Sequence, residues 1–273
     1  MQVTLCNGRI WFIDRKLKRE LDILIDDVIA SEMDLFIVMD GEEGSGKSYG
    51  SRGLGMYILT RLREKGIIDV DFTPENIHFR QAEYFNASKF GNKFEIIVLD
   101  EGRGALGRAK NKKLLEVIDW VSRCRFKRQF HIINVPAYHD LSPYISEWRN
   151  KAVIHFKKSY YKNQDGYKLR HGEFKLYCDL EGLRFHSRFR DYKYPNNHDA
   201  WAYWCSKEVF TPEQVEHYNA KKEYYAVLPN DADAEKFVFE KKLVPPRPPV
   251  IYTTTNKDTN KDTNNRGLLH GLL

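Results

Sequence analysis

No stretch of the chain approaches the ~20 consecutive apolar residues that a membrane-spanning helix requires, and the amino terminus lacks a basic region followed by an apolar one. These absences exclude an evident bilayer segment or secretory leader and imply a cytoplasmic protein without membrane contact. Cysteine is scarce: Cys6, Cys124, Cys178 and Cys205 lie far apart and form no CxxC pair. That spacing excludes a disulfide framework and a paired zinc ligand set, and the four read as reduced structural residues. A large excess of one charge is also missing, since 44 Lys and Arg against 38 Asp and Glu leave +6. Such a balance permits a polyanionic partner without demanding one. Hydrophobic residues at 42% and aromatics at 14% of 273 residues supply a sizeable core and exclude disorder over most of the length.

The most informative stretch is Leu35 to Ser51, LFIVMDGEEGSGKSYGS. An apolar run ends at Asp40, and Gly41 to Ser48 spells GEEGSGKS, a full match to the phosphate-loop pattern GxxxxGK[ST] between a strand and a helix. Gly41, Gly44 and Gly46 allow positive φ, so that backbone N–H groups curl around an anion. Lys47 reaches the β and γ phosphates, the Ser48 hydroxyl ligates Mg²⁺, and the helix dipole faces the same phosphates. Gly41, Glu42, Glu43, Gly44, Ser45, Gly46, Lys47, Ser48 and Tyr49 are therefore the expected ATP-binding residues.

A second stretch, Phe94 to Glu101 (FEIIVLDE), reads as a strand buried on both faces and ending in two carboxylates. At the carboxyl edge of a parallel sheet Asp100 would hold Mg²⁺ through water, leaving Glu101 to polarise an attacking water. GEEGSGKS together with Asp100-Glu101 resembles the additional-strand, catalytic-glutamate branch of P-loop ATPases. Within it the chain is similar to RecA-like motors of the FtsK/HerA type and to Zot-like ATPases of phages and mobile elements, over about residues 35–156. The resemblance implies a three-layer α/β core whose mainly parallel sheet separates the two motif strands by a third. It also implies hydrolysis in a ring or filament, DNA as partner, and a polar γ-phosphate sensor ending the strand Phe130 to Val135. Asn134 matches that sensor position, with Gln129 a second candidate. The membrane segment that Zot-like proteins usually carry downstream has no counterpart in this sequence.

Residues 102–129 are dense in positive charge around an amphipathic helix that includes Leu114 to Val121. Arg103, Arg108, Arg123 or Arg125 can serve as an arginine finger on a neighbouring subunit, Lys110, Lys112 and Lys113 can track a phosphodiester backbone, and a solvated helix face gives the same pattern.

The remaining expectations place a hairpin with a two-residue Asn7-Gly8 turn at the edge of the sheet, an amphipathic helix from Arg15 to Ser31, and a helix from Lys47 to Lys65 capped by Gly66. They continue with a strand from Ile67 to Phe72, a helix start at Thr73-Pro74, a short helix from Gln81 to Lys89, and a fifth strand from Ala152 to Phe156. Short runs from Ile154 to Phe189, separated by Asp165-Gly166 and Glu181-Gly182, suggest an antiparallel meander whose aromatic and basic residues suit a single-strand platform or an ordinary half-buried sheet. Thr211-Pro212 opens a further helix. The expected division is 1–32 hairpin and helix, 33–158 ATPase core, 159–241 antiparallel β/α extension, and 242–273 a Pro-rich then polar tail whose terminal GLLHGLL can dock a protein partner. A P-loop small-molecule kinase and a non-hydrolysing ATP-gated assembly switch are the alternative readings.

Overall fold

The computed structural model describes residues 1–100, 106, 112–163, 166–189, 193–203 and 208–227. Five parallel strands build the core: β3 (Leu35–Gly41), β4 (Ile77–His78), β5 (Ile96–Leu99), β6 (Phe130–Asn134) and β7 (Asn150–Asn163). Two antiparallel strands, β8 (Gly166–Tyr177) and β9 (Ala200–Tyr203), extend the same sheet to seven strands in the order β4-β5-β6-β3-β7-β8-β9. Strand β6 therefore separates the phosphate-loop strand β3 from the acidic strand β5, as in a RecA-like P-loop core. Strands β3, β5 and β6 are buried along their whole length, which explains their near-continuous apolar sequences.

Helices cover both faces. On one, Leu35, Ile37 and Met39 share a core with helix α1 (Arg15–Ala30) and helix α2 (Lys47–Glu64). On the other, Phe36 and Val38 pack with Tyr84 of helix α3 (Gln81–Phe90) and Val121 of helix α4 (Lys112–Arg123). Asp14 caps α1 by accepting from the Lys16 and Leu17 amides. Gly66, at φ +81°, ends α2 in a Schellman arrangement, with Ile67 N–H on the Leu62 carbonyl and Gly66 N–H on that of Arg63.

Helix α2 is buried nearly all round, and its glycines are sites of close approach. A Cβ on Gly50 would lie 2.6 Å from the Phe156 ring, on Gly53 2.7 Å from the Trp11 indole, and on Gly55 2.4 Å from the Phe72 ring.

Four expectations are corrected. The hairpin β1 (Gln2–Thr4) and β2 (Ile10–Phe12) closes through the three-residue loop Cys6 to Gly8, not a two-residue turn, because Leu5 and Arg9 still pair and Gly8 takes φ +78°. It also forms its own two-stranded sheet rather than an edge of the main one, since Trp11 is committed to α2. Ile67 to Phe72 is not a strand: Val70 and Phe72 turn inward onto α2, and after Pro74 the two-residue β4 takes the place beside β5. Leu183 to Phe189 belongs to helix α5 (Glu181–Phe189), because Leu183 is buried while Phe185 is 56% exposed, which an inward-facing alternation forbids. Strand β9 was not anticipated. The last described helix, α6 (Pro212–Val227), begins with a reciprocal Thr211–Gln214 cap. Among the described residues, no helix is long and apolar enough to cross a membrane.

At the amino edge of the sheet Asp34 pairs with Arg149 and accepts from the Cys124 thiol at 3.5 Å, both in the interior. Burial and the nearby Asp34 push the Cys124 thiol up to about 12, so it stays protonated. His131, fully buried beside them, is pulled down to about 3 by burial and by Arg149. Its ring is therefore neutral in the fold, whereas in the unfolded chain it takes a proton near pH 6.5.

Gly53→Ala should lower the stability of the fold by about 1–3 kcal/mol in urea titrations, although helix propensity alone favours alanine by about 1 kcal/mol. The unfolded state binds the extra His131 proton between about pH 6.5 and 3, so the unfolding midpoint should fall as pH drops through that window. A His131→Phe variant should show a shallower fall.

Candidate functional site

The site is built where β3 ends and α2 begins. Gly41, Gly44 and Gly46 have φ of +126°, +72° and +110°, and the loop they shape opens at the carboxyl edge of the sheet. Gly41 admits no side chain in any case, because a Cβ there would stand 2.1 Å from the Phe156 carbonyl oxygen of β7. Glu42, Glu43 and Gly44 are exposed at the rim, while Ser45 is buried beneath them. Lys47 Nζ donates to the Gly41 and Glu42 carbonyls, folded across the loop. Burial pulls its ammonium below the usual lysine range, and Asp40, Asp100 and Glu43 oppose that pull.

Two strands away, Asp100 stands at the end of β5 and points to the same place. The Ser48 hydroxyl donates to Asp100 Oδ2 at 3.0 Å, and the Asn134 amide at the end of β6 donates to Asp100 Oδ1 at 2.9 Å and to Ser51 Oγ at 3.1 Å. Ser48, Asp100 and Asn134 are thereby gathered at one point, with Lys47 near enough to feel the charge of Asp100. The donors suit a hard divalent cation: a hydroxyl, a carboxylate, and Asn134 Oδ1, a buried oxygen with no hydrogen-bond partner among the described residues. A cation-bound water is the kind of donor that such an acceptor lacks.

Tyr49 lies at the start of α2, 48% exposed, with the Arg52 guanidinium 4.4 Å from its ring centre. Gln129 is not at the site: it precedes β6 at the opposite edge, bound to Ser88 and the Asn92 carbonyl. Arg123 and Arg125 are also on that edge, exposed, with Arg123 paired to Asp119. Lys127 and Arg128 hold the carbonyl ends of α3 and α1. Lys112 and Lys113 begin α4. Glu101, Arg103, Arg108 and Lys110, like the tail from residue 242, lie outside the described residues.

Two site residues escaped sequence reasoning. Lys158 sits in a bulge of β7, where the pairing with β8 shifts register. Its ammonium lies 3.7 Å from Glu42 and near Gly44, and the opposing Gly172 N–H donates to the Ser45 carbonyl at 3.1 Å. Tyr218 of α6 donates to Asp100 Oδ2 at 2.8 Å. The bulge has no local signal, and the tyrosine is 118 residues from its partner in sequence.

The strand order and loop geometry together give a P-loop α/β fold in which one strand separates the loop strand from the acidic strand. No protein-family model matches the chain, and no curated protein does. Among solved structures it is similar to C. elegans PCH-2, at 13% identity and TM-score 0.38, covering 54% of this chain and 44% of that one. It is also similar to the genome packaging NTPase B204 of Sulfolobus turreted icosahedral virus 2 in complex with ATP-gammaS, at 15% identity and TM-score 0.33, covering 53% and 92%. The N-terminal domain of zonular occludens toxin from Neisseria meningitidis follows at 12% identity and TM-score 0.34, covering 56% and 90%. The match spans under half the length of PCH-2, and the class assignment rests on this chain's own strands and loop.

Asp100→Asn should remove most of the tightening of nucleotide binding by Mg²⁺, about 10–100-fold, and leave binding in EDTA unaltered. Fluorescent-nucleotide titrations with and without Mg²⁺ measure both, and undiminished tightening would take Asp100 out of the cation site.

Proposed function

We propose that this protein binds and hydrolyses ATP and works in a homo-oligomer that translocates, packages or remodels DNA for a virus or mobile element. The nucleotide part rests on one observation, the convergence of Ser48, Asp100 and Asn134 beside a glycine-shaped loop. Lys47 would leave the Gly41 and Glu42 carbonyls for the β and γ phosphates, gaining an anionic partner in place of two neutral ones. Loop N–H groups would face the same oxygens. Bound Mg²⁺, held by Ser48 and through water by Asp100, would supply neutralisation of phosphate charge. Glu101, the next residue after Asp100, is assigned as general base: it takes a proton from water as the water oxygen bonds to the γ-phosphorus and the bond to the ADP oxygen breaks. Asn134 is assigned as the sensor of that phosphate, and Lys158 adds positive charge at the rim.

The DNA part rests on the family resemblance and on the arm formed by β7 and β8. Lys157, Lys158, Tyr160 and Lys162 follow one another along β7 directly beyond Phe156, the residue that pairs with Gly41, and Tyr160 is 65% exposed. Basic and aromatic positions of this kind suit a single-stranded backbone with stacked bases. Arg103 and Arg108 are the candidates for a finger acting across a subunit interface, and Gly267–Leu273 for a docking peptide.

ATP turnover with and without single-stranded and duplex DNA, run beside sizing in ATP, tests this reading. Stimulation by DNA is expected. Stimulation only by a small acceptor would select a kinase, and nucleotide-dependent assembly without turnover an assembly switch. Lys47→Ala should reduce turnover to background. Glu101→Gln should bind ATP and fail to turn it over, and normal turnover would remove the assigned base.

A further inference from the structure

Asp100 is held by a residue that no motif includes. Tyr218 is 3% exposed, and its hydroxyl donates to Asp100 Oδ2 at 2.8 Å while also reaching the Ser48 side chain. The ring is seated between the Arg52 guanidinium, 4.4 Å from its centre, and Phe79, 5.9 Å away. Arg52 is in turn fixed by Glu208 at 2.6 Å. Helix α6, which carries Tyr218, is laced to the chain around β4: Lys221 donates to the Pro74 carbonyl at 3.3 Å, His217 lies 3.1 Å from Glu75, and Tyr225 bonds Glu83. These ties hold the phenol at the carboxyl edge of β5, so its aim at Asp100 is built in rather than incidental.

Oδ2 of Asp100 accepts from both Ser48 and Tyr218. A cation taken up by Ser48 Oγ polarises the O–H and leaves its hydrogen bond to the carboxylate in place, but the position of that oxygen is then set by the ion. Tyr218 on Oδ2 and Asn134 on Oδ1 are the donors whose positions the protein sets before the ion arrives. A carboxylate already held in the accepting orientation needs no reordering when the cation binds, which is the condition for an effect on cation affinity.

Building on the nucleotide-site reading above, we propose that Tyr218 is a positioning residue: its hydroxyl holds the Asp100 carboxylate in the orientation that accepts a hydrated divalent cation, and through it helix α6 is coupled to the occupancy of the phosphate loop. The chemistry is that of an outer-shell donor, which fixes a ligand without touching the metal.

The test uses the full chain and a fluorescent ATP analogue, titrated with Mg²⁺ at fixed nucleotide, with Mn²⁺ binding followed by electron paramagnetic resonance as a second readout. Tyr218→Phe keeps the ring and its stacking, and melting curves verify that it folds. It is expected to bind the analogue in EDTA as the wild type does, while its Mg²⁺ and Mn²⁺ midpoints rise about 10-fold. Lys221→Met, which removes one of these ties and keeps the hydroxyl, should shift both midpoints by less than Tyr218→Phe does. Wild-type midpoints in Tyr218→Phe would overturn the proposal, as would equal shifts in the two variants, since helix packing would then account for the effect. A wild-type chain that binds no analogue at all would instead overturn the nucleotide-site reading beneath it.

Discussion

The arrangement depends on satisfying one buried carboxylate. Asp100 is 4% exposed, and an ionised carboxylate at that depth is tolerated only where hydrogen-bond donors replace water. Ser48 comes from the start of α2, Asn134 from the end of β6 and Tyr218 from the middle of α6, so meeting the needs of Asp100 pins three elements to the end of a fourth. The inserted β6 makes this possible. It sets β5 and β3 two strands apart, which leaves room for the Asn134 side chain between Asp100 and Ser51 of α2.

The phosphate loop carries a second constraint, the depth at which α2 is packed. The helix that starts at the loop packs back along the sheet, and three aromatic side chains occupy the space that Cβ atoms would need at Gly50, Gly53 and Gly55. Glycine lowers intrinsic helix stability by about 1 kcal/mol per residue, so the sequence of α2 looks poor in isolation. Burying Phe156, Trp11 and Phe72 against bare backbone recovers more, since a fully buried large side chain is worth about 1.5–3 kcal/mol. The hairpin at the amino terminus belongs to this packing: Trp11 is the wedge that holds α2 from its outer side.

What was legible in the sequence was what chemistry had written locally. The phosphate loop is a contiguous pattern, Asp100 ends a continuous apolar run, and Asn134 ends another, so each could be placed from its neighbours alone. The strand from Ile67 to Phe72 misled because its alternation is real, yet it serves packing on α2 rather than a ladder. Leu183 to Phe189 misled because a short helix with a single buried leucine differs little from an alternating strand. Lys158 depends on a register shift opposite Gly172, and Tyr218 on a helix returning across more than a hundred residues. Neither leaves a trace at its own position, because long-range contact is set by topology, and no window of residues contains the topology.

The loop is thereby joined to two separate parts of the chain by different kinds of bond. Towards β5 it is linked through side chains, Ser48 to Asp100 to Tyr218, and these can re-form when charge at the site changes. Towards β7 it is linked through backbone, with the Gly172 N–H on the Ser45 carbonyl and Gly41 against the Phe156 carbonyl, contacts that a change of charge does not rearrange. The β7–β8 arm is thus tied to the loop through backbone, and α6 through side chains. The sheet order places these two kinds of connection on opposite sides of β3.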